Sequence, residues 1–465
     1  MNTSDEARAN PYLTGALGPL FFKTAAPIVL LMLVSGLFTV VDALFLGWYV
    51  GPLALAAVTL VFPVFMALNA CTTLVSSGMA STLARRLGAS DHAGAQSAMQ
   101  SATLLAMLVS IILMGVYLLA GPSFIDWLAQ GDEALSAMAK TYIAIVIFGS
   151  PLAFLIGIQG DTLRSEGKPG VMALIGVFVT LANIGFNYVF IARFGWGVSG
   201  SAFGTLAAQC VALMAVLILR LSGKTPIRLW ARTGKPWHEA WRRTLALGLP
   251  QSLALIGTSL TTASYLIAVK YWGGDNYDGT IAAYGIASRL LTFAFLPLMG
   301  LNFACQSIVG NNFGARAFAR SDRTLMIGLA VGLCYGVTVE LTFQLGAAPI
   351  SALFVSDPAT VDAAVRIVRI VSAAYVLVAP LMVLSGYFQA LGQAASAAAI
   401  SLGRTYLFTI PLVFVLPRFL GETGIWLASP FSDVGMLMLA LAVLFVNTRR
   451  TFARFGVFYT AGIRA

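Results

Sequence analysis

Residues 223–243 read "GKTPIRLWARTGKPWHEAWRR". This is the longest polar stretch inside a chain of 465 residues that is 59% hydrophobic and only 10% charged. It falls near the midpoint. Outward from it, in both directions, the sequence turns apolar and stays so, broken only by short polar connections. Runs long enough to cross a hydrocarbon core of about 30 Å recur on both sides. Six precede it, at roughly 22–47, 55–79, 98–120, 138–158, 170–192 and 200–221. Six follow, at roughly 244–270, 280–307, 325–346, 364–388, 396–417 and 424–447. A mean hydropathy of +0.87 fits no soluble domain of this length. Backbone groups in lipid must be satisfied within their own segment, so the spans are predicted as helices. The alternating ten-residue strands of a membrane barrel are absent.

The net charge of +10 would suit a nucleic-acid partner, but its placement follows topology instead. With the N-terminus inside, the inner connections carry Arg85, Arg86, Arg164, Lys168, Arg316, Arg320, Arg323, the midpoint cluster, and Arg449, Arg450 and Arg454 in the tail. The outer connections hold Arg193, Lys270 and Arg418, with Lys140, Arg366 and Arg369 near helix ends. This asymmetry is the positive-inside pattern. Both termini are then expected in the cytoplasm, with the chain integral to the inner membrane. The polar start "MNTSDEARANPYLTG" has no cleavable signal, so the first span is expected to be retained. Trp230, Trp237 and Trp241 among the linker's basic residues suit either a segment lying on the inner leaflet or an ordinary cytoplasmic loop.

The halves repeat. "AAVTLVFPVFMALN" (56–69) reads against "AAYGIASRLLTFAF" (282–295), and "RRLGA" (85–89) against "NNFGA" (311–315). "SEGK" (165–168) reads against "ALGQ" (390–393), "GVSGSAFGTLAAQ" (197–209) against "GETGIWLASPFSD" (421–433), and Pro27 against Pro250. An even number of spans per half makes these parallel repeats, related by an axis along the membrane normal. The expected division is an N-lobe over 1–222, a basic cytoplasmic linker over 223–243, a C-lobe over 244–448 and a basic tail over 449–465.

Asp42, in "GLFTVVDALFLGWYVG" (36–51), is the only charge between Lys23 and Arg85. An ionised carboxylate at the centre of a membrane helix costs about 3 kcal/mol on insertion scales, so such residues face protein or water and mark ion pathways. Asn183 and Asn187, in "TLANIGFNYVFI", lie four apart on one helical face. Thr205, with Ser199 and Ser201 nearby, adds hydroxyls. One carboxylate with amide and hydroxyl oxygens suits a small hard cation or a protonation network. Helix–helix hydrogen bonding is the other use of such residues in membranes.

The second half places Arg289, Glu340 and Asp433 at depth. Arg289 is expected to pair with Asp433 or Glu340; either acid could instead be a second proton or cation site. Arg404, in the eleventh span, has no evident partner in the sequence. Cys71, Cys210, Cys305 and Cys334 read as small buried hydrophobes. His92 and His238, the only histidines, lie in inner loops. There is no HExxH, GxSxG or P-loop, which argues against an enzyme or a direct ATP-driven pump.

Four phrases carry a resemblance: "LFTVVDALFLGWYVGPLALAAV", "ARRLGASDHAGA", "LRSEGKPG" and "GIASRLLTFAFLPLMGLNFACQSIVGNNFGA". In order, on twelve spans in two repeats, they resemble the multidrug and toxic compound extrusion (MATE) family over residues 20 to 447. The resemblance implies an all-α fold of twelve transmembrane helices, as two six-helix lobes forming a V around a central cavity. It implies export of amphipathic, often cationic compounds against H⁺ or Na⁺. It makes Asp42 the coupling carboxylate, Asn183, Asn187 and Thr205 its surround, and Pro27 the hinge of the first helix. Many relatives carry a second acid where Asn187 stands. The seventh and tenth spans lack the acids of one Na⁺-coupled subgroup, so the chain resembles the subgroup keyed to the first-helix acid.

Substrate contacts are expected from apolar and aromatic walls, with Met66, Met299 and Tyr265 as candidates. Small drug-like molecules and membrane lipids are the expected partners of a monomer, with no nucleic acid and no cofactor beyond the coupling ion. A flippase for a lipid-linked precursor is the alternative. It would want basic residues at depth for a diphosphate, for which only Arg289 and Arg404 qualify.

Overall fold

The computed structural model describes residues 10–223, 225–228, 238, 240–273 and 277–451. The linker tryptophans Trp230 and Trp237 lie outside these residues, as does Arg454. Every regular element among the described residues is helical. In chain order they are α1 (Leu17–Tyr49), α2 (Pro52–Gly88), α3 (His92–Leu128), α4 (Glu133–Phe148), α5 (Ser150–Ser165), α6 (Pro169–Asn187) and α7 (Gly197–Leu221). Then come α8 (Trp241–Trp272), α9 (Tyr277–Gly314), α10 (Phe318–Ser351), α11 (Pro358–Val371), α12 (Tyr375–Leu391), α13 (Ala394–Leu402), α14 (Ile410–Val415), α15 (Pro417–Leu420) and α16 (Glu422–Thr451).

Ten spans are long and apolar enough to cross a membrane by themselves, and two bent pairs, α4–α5 and α11–α12, bring the number to twelve. The bends are 47° and 49° and fall in the fourth span of each half. Pro151, in the first turn of α5, explains the first, because proline lacks the backbone donor that would carry the hydrogen-bond ladder across the break. The second has no proline at the break. There Ser372–Ala374 form a turn, and Glu340 Oε2 on α10 accepts the Val376 N–H at 2.9 Å. One orphan donor of the first turn of α12 is thereby satisfied by an acid from another helix.

The fifth span of each half carries a π-helical segment, Tyr188–Arg193 after α6 and Gly403–Thr409 after α13. Its widened i→i+5 turn advances side chains onto a different face, and such segments favour functional sites. In the second, Thr409 Oγ1 also donates to the Arg404 carbonyl at 2.8 Å, five residues back.

Two compact units form: residues 1–14 with 26–252, and 15–25 with 253–465. Their seams run through helices. One falls between Ala25 and Ala26 of α1, beside Pro27, and the other between Ser252 and Leu253 of α8, beside Pro250. Within the first unit, the opening turns of α8 lie against α2 at backbone range. A Cβ at Gly78 would collide with the Thr244 carbonyl, and one at Gly248 with the Leu74 carbonyl.

The start of the midpoint linker is built into the first unit. Ile227 is fully buried in its core. Its N–H donates to Glu166 Oε1 at 3.1 Å and its carbonyl accepts from Arg220 Nη1 at 3.2 Å. Arg220 and Glu166 form a fully buried ion pair at 2.6 Å. Burial pushes the Glu166 carboxyl up, against the pull of the Arg220 guanidinium. The Gln96 amide bonds both the N–H and the carbonyl of Arg228. At the other end of the linker, Trp241 Nε1 donates to the Ser101 carbonyl at 2.9 Å.

Candidate functional site

In the first unit, α1, α6 and α7 converge on Asp42. Asn187 Nδ2 donates to Asp42 Oδ1 at 2.7 Å, and Ser201 Oγ donates to the same oxygen at 3.1 Å. Asn183 Nδ2 donates to Thr205 Oγ1 at 3.0 Å, and Thr205 Oγ1 donates to the Ser201 carbonyl at 3.2 Å. All three residues expected around the acid, Asn183, Asn187 and Thr205, are therefore joined to it through one network, with Ser201 as the link. Asn187 is wholly buried and stands at the last turn of α6, where the π segment begins.

The network is lopsided. Asn183 Oδ1 and Asn187 Oδ1 are buried, and neither has a hydrogen-bond partner among the described residues. A buried acceptor without a donor costs about 1–3 kcal/mol. Asp42, half-buried, meets no cationic side chain in any ion pair among the described residues. The site is thus an excess of oxygen acceptors around one carboxylate. That chemistry suits a proton or a small hard cation. Gly204 makes room for it, since a Cβ there would strike Asn187 Oδ1.

The second unit corrects two expectations. Arg289 does not pair with Asp433 or Glu340: it is exposed on α9 and makes no hydrogen bond or ion pair among the described residues. Arg404 does have a partner. Its Nε lies 2.5 Å from Asp433 Oδ1, with the acid side chain 1% exposed. The two residues sit on different spans, 29 positions apart, so no helical spacing joins them in the sequence. The widened turn at Gly403–Thr409 further alters which face Arg404 occupies, and helical periodicity alone misses it.

Tyr265 stands fifteen residues beyond Pro250, as Asp42 stands beyond Pro27. The two repeats thus put a phenol and a carboxylate at matching places. The Tyr265 ring is buried, stacked on Tyr284 at 5.3 Å and on Trp426 at 6.1 Å. Met66 and Met299 are half-buried on α2 and α9, and Pro27 is the second residue past the seam in α1.

Comparison with known proteins gives one family and a consistent fold. The MatE family model matches residues 27–189 and 254–415, one stretch in each half. The multidrug export protein MepA of Staphylococcus aureus (strain NCTC 8325 / PS 47) is 24% identical over 430 residues, 91% of this chain and 93% of that protein. MepA of Staphylococcus haemolyticus (strain JCSC1435) is 23% identical over 423 residues, 90% of this chain and 91% of its own. An outward-facing multidrug resistance MATE transporter of the MOP superfamily superposes with a TM-score of 0.87 at 22% identity, covering 98% and 99% of the two chains. A MATE structure in complex with MaL6 gives 0.86 at 23%, covering 94% and 97%.

Proposed function

Because the chain belongs to the MatE family of membrane transporters, we propose that it is a secondary-active exporter of amphipathic, often cationic organic compounds. Uptake of H⁺ or Na⁺ at Asp42 drives export by alternating access. The observation that carries this reading is the bias of the Asp42 network. It offers a carboxylate and two unpartnered amide oxygens, with no fixed cation to neutralise them. The multidrug export named for the staphylococcal relatives supports the cargo class.

The proposed cycle follows from that bias. With the ion bound, the Asp42 charge is matched and the amide oxygens gain a partner. With the ion gone, an uncompensated charge remains among buried acceptors, and α1 gains by moving Asp42 toward water. Pro27 gives α1 a place to bend, because its ring removes one intrahelical hydrogen bond. The ion and the cargo then act on one element with two states, which is what thermodynamic coupling requires. A pH difference of one unit supplies about 1.4 kcal/mol per proton. A membrane potential of about 100 mV adds about 2.3 kcal/mol per charge.

The test is efflux of a fluorescent organic cation from proteoliposomes, energised separately by a pH gradient and by a Na⁺ gradient at constant pH. Export driven by at least one gradient in the native chain, and by neither in Asp42→Asn, is the expected result. Gradient-driven export at the native rate in Asp42→Asn removes Asp42 from the mechanism. Na⁺ dependence at constant pH identifies the coupling ion.

A further inference from the structure

The exposed faces of two neighbouring helices in the second unit differ in kind. On α9, Asp278, Ala282, Gly285, Arg289 and Thr292 recur at spacings of four and three, which places them on one face. Each is exposed or half-exposed. On α10 the exposed face carries Met326, Leu333, Val337, Leu341 and Leu345, all bulky and apolar. Hydrocarbon suits the second face. It does not suit the first, which is small, polar and charged. The nearby helix α8, whose Tyr265 ring stacks on Tyr284 of α9 at 5.3 Å, also exposes Thr258 and Thr262, one turn apart.

Arg289 is the anomaly on that face. It follows residue 280, where the eighth span starts, by about 14 Å along the helix axis, near the middle of a hydrocarbon core of about 30 Å. A charge at such depth faces protein or water, not lipid. No protein group meets it: Arg289 is exposed and makes no hydrogen bond or ion pair among the described residues. The two acids expected to pair with it are engaged elsewhere, Asp433 with Arg404 and Glu340 with the Val376 N–H. Asp278, on its own face, lies about 16 Å away along the axis. The guanidinium therefore stands in water with its five N–H donors open. There is room beside it. An arginine on a helix lies over the preceding turn, and a Cβ added there, at Gly285, would meet nothing within 4 Å. The repeat puts Pro63 at the matching place of the first half, so the shared helix plan does not call for this charge.

We propose that Arg289 is a specificity-determining residue that takes the carboxylate of a small amphipathic cargo on the water-facing side of α9. Its planar fork meets two carboxylate oxygens with parallel N–H bonds, and a guanidinium is more weakly hydrated than an ammonium. The apolar body of the cargo lies along Leu296 and Met299, half-exposed two and three turns farther on the same face. Binding rests on residues of the second unit alone. Only the step from bound ligand to exported cargo rests on the proposed function, and it widens the cargo from cations to zwitterions and anions.

The experiment uses the purified full-length chain in dodecylmaltoside micelles, which carry no phosphate. Binding of 1-naphthoate, neutral 1-naphthamide and 1-naphthylmethylammonium is measured by equilibrium dialysis. Naphthoate is expected to bind at least tenfold more tightly than naphthamide, and to weaken tenfold or more in Arg289→Gln. Arg289→Lys, which keeps the charge and loses the fork, recovers part of that loss. The ammonium binds Arg289→Gln about twofold to threefold more tightly than the native chain, because a repelling charge is gone. Equal binding of naphthoate and naphthamide, or unchanged naphthoate binding in Arg289→Gln, overturns the proposal. So does weaker binding of the ammonium by Arg289→Gln, which reports lost structure instead of lost charge.

Phosphatidylglycerol added to the micelles separates two sources of the anion. Full displacement of naphthoate makes the occupant a lipid phosphate and overturns the cargo assignment, whereas retained Arg289-dependent binding supports the organic carboxylate. If export energised through Asp42 fails while Arg289-dependent naphthoate binding stands, the proposed function is wrong and this site is not.

Discussion

Asp42 and Asp433 are both acids deep in membrane helices, yet they are handled in opposite ways. Asp42 is held by neutral donors, Asn187 and Ser201. Asp433 is held by a fixed cation, Arg404. The first acid has no ion-pair partner among the described residues. The second carries a tethered one. The two halves therefore differ: one acid has neutral partners and the other a cation. The proposed coupling at Asp42 uses that difference, since an ion bound there displaces no part of the protein.

The largest expected effect tests that contrast in function. Asp42→Asn lowers gradient-driven efflux about a hundredfold or more in proteoliposomes. Its thermal midpoint stays the same or rises, because a lone half-buried charge is removed and no partner is orphaned. Asp433→Asn does the reverse to stability. It leaves Arg404 unpaired and destabilises the chain by about 2 kcal/mol, less than a fully buried pair would lose because Arg404 is partly exposed. Thermal unfolding in micelles checks this, and Arg404→Gln added to it recovers most of the loss. If the two single variants shift the midpoint equally, the acids are not handled differently.

A smaller effect sharpens the first site. Gly204→Ala drives a methyl into Asn187 Oδ1 and raises the half-saturating coupling-ion concentration about tenfold. Gly185→Ala, with open space at its Cβ, leaves it unchanged. The smallest effect is that of Ser201→Ala. Losing one hydrogen bond to the ionised carboxylate costs that form about 1 kcal/mol, so a proton binds about fivefold more tightly and the half-saturating proton concentration falls by that factor. An unchanged value would mean that Ser201 does not hold the ionised form.

The first site was legible in the sequence because each of its parts is local or isolated. Asp42 stands alone in an apolar run, and Asn183 and Asn187 share a helix face by spacing. Ser201 appeared only as a neighbour of Thr205, since its role depends on how α7 meets α1. The second site was not legible. Arg404 and Asp433 lie on separate helices, and the π turn moves Arg404 off the face that an α-helical wheel assigns. Arg289, a cation among two acids in the same half, drew the pairing that belongs to Arg404. Twelve spans were readable from hydropathy. The two bends were not, because one depends on a turn that an acid from α10 helps to close.

The seams inside α1 and α8 have a consequence for how the chain is made. A polypeptide enters the membrane from its N-terminus, one span after another. The first unit needs residues up to 252, so it cannot be completed when its own sixth span has been delivered; it waits for the seventh. Residues 15–25 wait longer, since everything else in their unit begins at residue 253. Neither half of the chain, cut at the linker, holds every residue of its unit. A truncation placed in the linker leaves each fragment carrying a piece of helix that belongs to the other.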